Sequence, residues 1–213
     1  MSEATFKKIV KRYKLTVDDG YLRFIKSVDG DKAVYDAEIH QLDTLKTVDL
    51  SVDMSQKKIY ASGKVYDITS NVRGGELSVD TVAIPAELAD KARGAVRVGA
   101  GAYDVNLPQA QEFAFGFQAN MSDGSQVYVL YPRCQLTYDS EQDKTSDDSD
   151  IDPSEQYKIE AMPTAEGLWR IKYYTSDVPE GKKPYTMAEF MSKGLYTKAD
   201  IGACFGAEPA VTE

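Results

Sequence analysis

Apolar and polar residues alternate along much of the chain, and this alternation predicts β-strands. In residues 47–54 (TVDLSVDM) every second position is apolar and every intervening position is polar. The apolar side consists of Val48, Leu50, Val52 and Met54. A period of two with polar partners is typical of a strand with one face in the core and one face in water.

Three pairs of strand-like segments are joined by short connections and predict three β-hairpins. The strongest pair is 112–120 and 126–138, because Asp123-Gly124 between them tolerates the positive φ of a tight turn. The other two hairpins join 21–28 to 33–40 and 157–162 to 167–175. Because proline donates no hydrogen bond to a ladder, Pro132 predicts a bulge or a sheet edge.

Aromatic residues on two of these strands share a face and are expected in the core. Trp169 shares its predicted face with Ile171 and Tyr173. Aromatic residues with a period of two are common in β interiors. The alternative for the phenylalanines is a platform on which a ligand stacks. That phenylalanine face consists of Phe113, Phe115 and Phe117.

Two segments predict short helices. Residues 85–94 carry proline at the start and glycine at the end, which suits the first turn and the C-terminus of a helix. Residues 186–194 begin with a capping box formed by Thr186 and Glu189 and also end in glycine. With so few helices, the expected fold class is mainly β and not alternating α/β.

Composition divides the chain at about residue 176. Residues 1–175 contain the predicted strands and form the expected β domain. Residues 176–213 are short-helical and rich in small residues, so they are expected to be a C-terminal arm or extension. Such a segment either docks on a neighbouring molecule or frays.

Charge and hydropathy disfavour several classes of protein. The formal net charge is −9, whereas nucleic-acid-binding proteins carry a basic stripe. No apolar run approaches the ~20 residues of a membrane span, and the N-terminus lacks the apolar core of a signal peptide. We therefore expect synthesis in a reducing cytoplasm and no membrane anchor.

The chain offers little for catalysis. His40 is the single histidine, and no nucleophile signature lies near it, although a Ser-His-Asp or Cys-His site would require it. Cys134 and Cys204 match no metal-binding spacing and are expected to be small buried residues. Gly99 and Gly101 form a GxG without the strand-to-helix context of a phosphate loop. We expect no enzyme activity, no cofactor and no metal.

One segment concentrates the negative charge. Residues 138–157 contain eight acidic residues and one lysine. A calcium-binding EF-hand loop is disfavoured, because Pro153 stands where that loop needs glycine. Composition favours a solvated loop instead. The acidic residues are Asp139, Glu141, Asp143, Asp147, Asp148, Asp150, Asp152 and Glu155.

The order of segments between about residues 75 and 175 carries a family resemblance. A strand and short helix (ELSVDTVAIPAELADKARG) precede the hairpin EFAFGFQANMSDG–SQVYVLYPRCQLTYDSEQDKT. The acid-rich stretch and the strands SEQYKIEAMPT and EGLWRIKYYT follow. Together with IYASGKVYD at 59–67, this order resembles the major tail proteins of long-tailed, non-contractile bacteriophages. The resemblance covers about half of the chain.

The resemblance implies a fold, an assembly and a role. The fold would be a β-sandwich or partly closed barrel with one flanking short helix. Subunits of the family form hexameric rings that stack into a tube. The role would be structural, as a virion protein of the tail tube that encloses the tape-measure protein and passes DNA in transit without binding it specifically. Implied partners are further copies of the chain, the tape-measure protein and the tail-terminator protein, and the implied location is the virion tail after synthesis in the cytoplasm of a host bacterium.

Two interpretations of the chain as a whole stay open at this point. In a tail tube, the acid-rich segment would line the lumen or reach an adjacent subunit. Acids facing inward would let DNA slide, because its phosphates would find no cationic partner. The alternative is a carbohydrate- or host-surface-binding β-sandwich module, which would present exposed aromatic residues along a groove.

Overall fold

The structure is a computed structural model that describes residues 12–61, 64–137, 155–179 and 181–206. Its strands are β1 (Lys14–Asp29), β2 (Lys32–Tyr35), β3 (His40–Leu42), β4 (Leu45–Ala61), β5 (Lys64–Thr81), β6 (Val96–Val98), β7 (Gly101–Tyr103), β8 (Phe113–Met121), β9 (Gln126–Thr137), β10 (Glu155–Ala161) and β11 (Ile171–Tyr174). Its helices are α1 (Ala86–Arg93), α2 (Met187–Ser192) and α3 (Lys198–Phe205). The expected mainly β fold class is therefore confirmed.

One antiparallel sheet dominates the fold. Its strand order is β2-β1-β8-β9-β10-β5-β4, with β3 also on β1 and β11 also on β9. The sheet curls so that β1 approaches β4, but the hydrogen-bonded order ends at β4 and the barrel stays open within the described chain. Strands β6 and β7 form a separate small hairpin. This architecture agrees with a sandwich-like or partly closed barrel.

The inner face of the curled sheet encloses the main core. Phe113 and Phe115 are fully buried there and Phe117 nearly so, which confirms the core interpretation of the phenylalanine face. Helix α1 closes over this core with Ala89 and Ala92. It begins after Pro85 and ends at Gly94 in the left-handed conformation, as the sequence predicted.

The outer face of the sheet carries a second core, to which the C-terminal residues belong. Helix α2 buries Met187, Phe190 and Met191 against side chains of β8, β9 and β11. Both hydrogen bonds of the predicted capping box of Thr186 and Glu189 are present. Up to residue 206, the segment expected to be a C-terminal arm packs on the sheet, because its apolar side chains fill this outer core. Residues 207–213 lie outside the described part.

Two of the three predicted hairpins are confirmed by strand register. Strands β8 and β9 pair across the turn at Gly124 (φ 81°), and β1 pairs with β2 across Gly30. The ladder between β8 and β9 shifts register at Pro132, where a bulge was expected, because Phe113 faces Cys134 whereas Phe115 faces Tyr131.

The third predicted hairpin is wrong. Strands β10 and β11 do not pair with each other, and both pair with the same edge of β9. Strand β10 occupies the half of β9 from Cys134 to Thr137, and β11 occupies the half from Val127 to Leu130. The long edge of β9 offers each segment a full partner, with Pro132 between the two halves and no N–H there to donate.

The predicted shared face of Trp169, Ile171 and Tyr173 is also wrong. Strand β11 begins only at Ile171, so Trp169 precedes the alternating segment. Trp169 packs against the inner core, with its ring 6.3 Å from that of Tyr131. Ile171 and Tyr173 belong to the outer core.

Candidate assembly surface

A two-stranded ribbon projects from the sheet. Strands β4 and β5 pair along their length, from Leu45 opposite Thr81 to Ala61 opposite Lys64. The other neighbour of β5, strand β10, reaches only from Gly75 to Thr81. Within the described part of the chain, residues 52–61 and 64–74, called the arm below, are therefore paired only with each other. Such an isolated ribbon is marginally stable in water, so a surface that covers the arm would stabilise it.

The apolar face of the core continues onto the arm without cover. Val48 and Leu50 pack against the inner core, as the alternation of 47–54 predicted. On the same side of β4, Val52 is 43% exposed and Met54 49% exposed. Strand β10 ends at Ala161, so none of the described strands lies beside these residues as a third strand. Half of the predicted buried face is thus exposed in the single subunit.

Register extends this exposed face to the far half of the arm. Met54 pairs with Val72, and Lys58 pairs with Ile68, which is 51% exposed. Strand alternation places Tyr60, 65% exposed, on the same side. The apolar stripe of the arm is defined as Val52, Met54, Tyr60 and Ile68, and it shares this side with the polar residues Gln56, Lys58 and Ser70.

Two glycines allow the arm to leave the barrel. Gly74 has a φ of 135°, and a Cβ there would overlap the carbonyl oxygen of Ala161. A Cβ on Gly75 would lie 2.9 Å from both Leu50 Cδ1 and Ser51 O. The ladder shifts register beside them, because Asp53 faces Gly74 whereas Met54 faces Val72. The junction therefore depends on backbones that approach each other closely.

A second exposed apolar segment surrounds the β6–β7 hairpin. Val98, Tyr103 and Leu107 are all largely exposed, and Leu107 reaches 81%. Gly99 lies in the turn of this hairpin, and Gly101 is the first residue of β7. The GxG thus has no helix N-terminus after it, in agreement with the sequence analysis.

The acid-rich segment is attached at one end of the sheet. Asp139, Glu141, Asp143, Asp147, Asp148, Asp150 and Asp152 lie outside the described residues. Glu155 is the first residue of β10, faces Thr81 of β5 and accepts a hydrogen bond from the Tyr157 hydroxyl. Burial, followed by this hydrogen bond, raises the pKa of Tyr157. The segment therefore leaves the sheet after Thr137 and returns at Glu155.

The single histidine and the two cysteines lie in three separate environments. His40 is half-buried, with its ring edge-on to Phe24 at 6.0 Å. Cys134 is fully buried, and burial raises the pKa of its thiol. Cys204 is half-buried beside Tyr185, so its expected full burial is not reached. No cluster of three His, Cys, Asp or Glu side chains suited to a metal ion occurs in the described ranges.

An aromatic cleft of about 240 Å³ lies beside β11. Tyr173 forms one wall and stacks on Phe205 at 5.7 Å, and Tyr185 lies 5.7 Å from Tyr173. Lys172, Lys182 and Lys183 also line the cleft. Sequence reasoning missed it because its walls come from β11, α3 and the loop between them. The local signal was the cluster of tyrosines at 173, 174 and 185.

Two further observations bear on the function, namely the character of the helices and the comparisons with known proteins. Among the described residues, no helix combines the length and the apolar character that crossing a membrane requires. A scan of the chain against protein-family models finds no match, and a search of curated proteins finds none either.

Proposed function

We propose that the chain is a structural subunit that polymerises, as the tail-tube protein of a long-tailed, non-contractile bacteriophage. In this role, copies of the chain form stacked hexameric rings around the tape-measure protein. The resulting tube contacts a tail-terminator protein at its end and passes DNA in transit without binding it specifically. The protein would act in the virion tail, without enzyme activity or a cofactor. The observation that carries the proposal is the uncovered apolar stripe of the arm.

The stripe supplies free energy for association. A large apolar side chain contributes about 1.5–3 kcal/mol when fully buried. Val52, Met54, Tyr60 and Ile68 are each about half exposed, so covering them would contribute about 1 kcal/mol each. The total is about 4 kcal/mol per arm. Repetition around a ring would multiply this contribution.

The open sheet supports the same proposal. Strand β4 ends the hydrogen-bonded order, and β2 ends it on the other side. Unpaired strand edges are templates for pairing with another chain. A contact between two different edges of identical subunits generates a ring when its rotation closes. The curled sheet with α1 on its inner side also agrees with the fold that the family resemblance implies.

The test is self-association of the full chain with and without an intact stripe. We expect light scattering to grow with concentration and time, and negative-stain electron microscopy to reveal rings or tubes with six-fold end views. Met54→Lys places a charge in the stripe and is expected to raise the concentration needed for assembly at least tenfold. Thr69→Lys adds the same charge on the opposite side of the same arm and is the matched control.

The outcomes are distinct. Loss of assembly in Met54→Lys with normal assembly in Thr69→Lys supports the proposal. A wild-type chain that stays monomeric at all concentrations, with purified tape-measure protein present as an initiator, contradicts it. Equal loss in both variants contradicts the role of the stripe.

The aromatic cleft favours one second candidate, a carbohydrate- or host-surface-binding module. Stacked tyrosine and phenylalanine rings offer the flat apolar faces that sugar rings contact, and Lys182 and Lys183 add hydrogen-bond donors. A glycan screen with the full chain tests this candidate. Saturable binding by a monomer, lost in Tyr185→Ala, would favour it over the structural subunit.

A further inference from the structure

Two lysines border the same phenylalanine near one end of the inner face. Lys14 begins β1, and its ammonium group lies 5.1 Å from the centre of the Phe117 ring. Lys172 in β11 pairs with Val129 in β9, which pairs in turn with Phe117 in β8. Directly paired residues of antiparallel strands point to the same side of a sheet. Lys14 and Lys172 therefore lie on the same face of the sheet as buried Phe117.

Arg170 brings a third cation to this place. Its guanidinium lies 4.7 Å from the centre of the Trp169 ring. Its positive charge also counteracts the rise that burial causes in the pKa of Tyr131, whose side chain lies on the same face of the sheet. The cation cluster is defined as Lys14, Arg170 and Lys172. Lys14 and Arg170 lie over the aromatic rings of Phe117 and Trp169.

The pKa values of Lys14 and Lys172 are lowered in this cluster, which has no acidic partner in the described part of the chain. Burial and then the charges of Lys172 and Arg170 lower the pKa of Lys14. Arg12 binds the nearby carboxylates, with Asp123 at 2.9 Å and Asp177 at 3.0 Å. Like charges held together repel, so a bound anion would stabilise the cluster. In a chain with a net charge of −9, such a cluster marks a place for an external anion.

The acid-rich segment is attached at the opposite end of the same strands. Lys172 faces Val129, whereas the segment leaves β9 after Thr137, eight residues further along. At about 3.4 Å per residue, these two points are about 27 Å apart. The segment carries eight acidic residues and one lysine between Asp139 and Glu155. The barrel therefore has a cationic site near one end and an acidic strand connection at the other.

This polarity fits a second copy placed end to end. Thr137 and Glu155 lie at the same end of the sheet, so the 17 residues between them can reach at most about 28 Å from that end. This reach hardly exceeds the distance of about 27 Å to the cluster of the same subunit. The cluster of a copy stacked beyond that end is approached directly.

We propose that Lys14, Arg170 and Lys172 form an anion site that receives the acid-rich segment 139–155 of the next copy of this chain. The proposal rests on the proposed function only in requiring contact between copies, and it assigns the contact between successive layers. A contact between two different ends of identical subunits is heterologous and propagates without limit in one direction. The ionic contact would thus set the polarity of the polymer.

The test uses a fluorescein-labelled peptide of residues 139–155 and the full chain, below the concentration at which the chain scatters light. We expect saturable binding by fluorescence anisotropy at low salt. Binding should disappear near 1 M salt, where the Debye length falls to about 3 Å. The double variant Lys14→Gln/Lys172→Gln removes two surface ion pairs and is expected to weaken binding about tenfold. The matched control is Lys57→Gln/Lys58→Gln, which removes the same charge from the arm.

Three results would overturn the proposal. The first is a wild-type chain that does not bind the peptide, and the second is equal weakening in the cluster variant and the arm variant. The third is a DNA duplex of the same length that binds the cluster lysines more tightly than the peptide, since the partner would then be a nucleic acid. Each of these results is compatible with tubes in the electron microscope, so failure here is distinguishable from failure of the proposed function.

Discussion

Substitution of Gly74 by alanine tests whether the arm joins the barrel as described. Gly74 lies at the register shift between Asp53 and Met54, where the arm begins. Its φ of 135° belongs to a region that side chains rarely adopt. The position that a Cβ would take overlaps the carbonyl oxygen of Ala161, which is backbone and cannot rotate away.

The expected cost has two parts. An L-residue held in such a backbone conformation costs about 1–3 kcal/mol. Relief of the overlap with Ala161 requires the β5–β10 ladder to shift, and overpacking of this kind costs about 1–3 kcal/mol. The sum of about 2–6 kcal/mol would lower Tm by roughly 5–20 °C in a domain of this size.

Urea denaturation and thermal melts of the full chain would measure this loss against Gly124→Ala. Gly124 also has a positive φ, of 81°, but a Cβ there would meet no atom within 4 Å. Alanine reduces the entropy of the unfolded chain equally in both variants, so the difference between them isolates the junction. We expect Gly74→Ala to be less stable by at least about 1 kcal/mol. Equal stability of the two variants would refute the close approach of Gly74 and Ala161.

Three further predictions concern the two cores and the capping box. A Cβ at Gly116 would lie 2.5 Å from Met187 Cε and 2.9 Å from Met191 Sδ, so Gly116→Val is expected to cost about 1–3 kcal/mol in urea unfolding; an unchanged midpoint would contradict the packing of α2 on β8. Burial raises the pKa of Cys134, so iodoacetamide near pH 8 should alkylate half-buried Cys204 first and Cys134 only on unfolding, as mass spectrometry of the labelled peptides would reveal. Hydrogen bonds from Thr186 hold the pKa of Glu189 below its ordinary value, so its stabilisation is present above the unfolded pKa of about 4.3 and is lost as the pH falls through the folded value. The Tm difference between wild type and Glu189→Gln should therefore be largest near neutral pH and vanish in acid; a difference that persists there would argue against the capping interaction.

Local patterns predicted the elements whose determinants lie within a few residues. Alternation predicted the face that holds Phe113, Phe115 and Phe117, and the turn at Gly124 predicted the β8–β9 hairpin. Capping residues predicted helix α2 from Thr186. Helix α3 begins with the same type of capping box, formed by Thr197 and Asp200, so its start is also determined locally.

Tertiary structure decided which predicted faces are covered and which strands are neighbours. Val48 and Val52 follow the same alternation, but only Val48 is covered, because the extent of β10 sets the end of the sheet. Residues 157–161 belong to β10, which pairs with the far half of β9. Strand pairing between segments distant in sequence determines this partner, whereas the connection after residue 161 does not.

The candidate sites divide in the same way. The acid-rich segment 139–155 is evident from the sequence, because its charges are neighbours along the chain. The cation cluster unites Lys14 with Arg170 and Lys172, which are more than 150 residues away. Only the pairing of β1, β8, β9 and β11 brings these three side chains together. Sequence determines what is local along the chain, and sheet register determines which distant charges share a surface, because a one-residue change of register would move each of them to the other face.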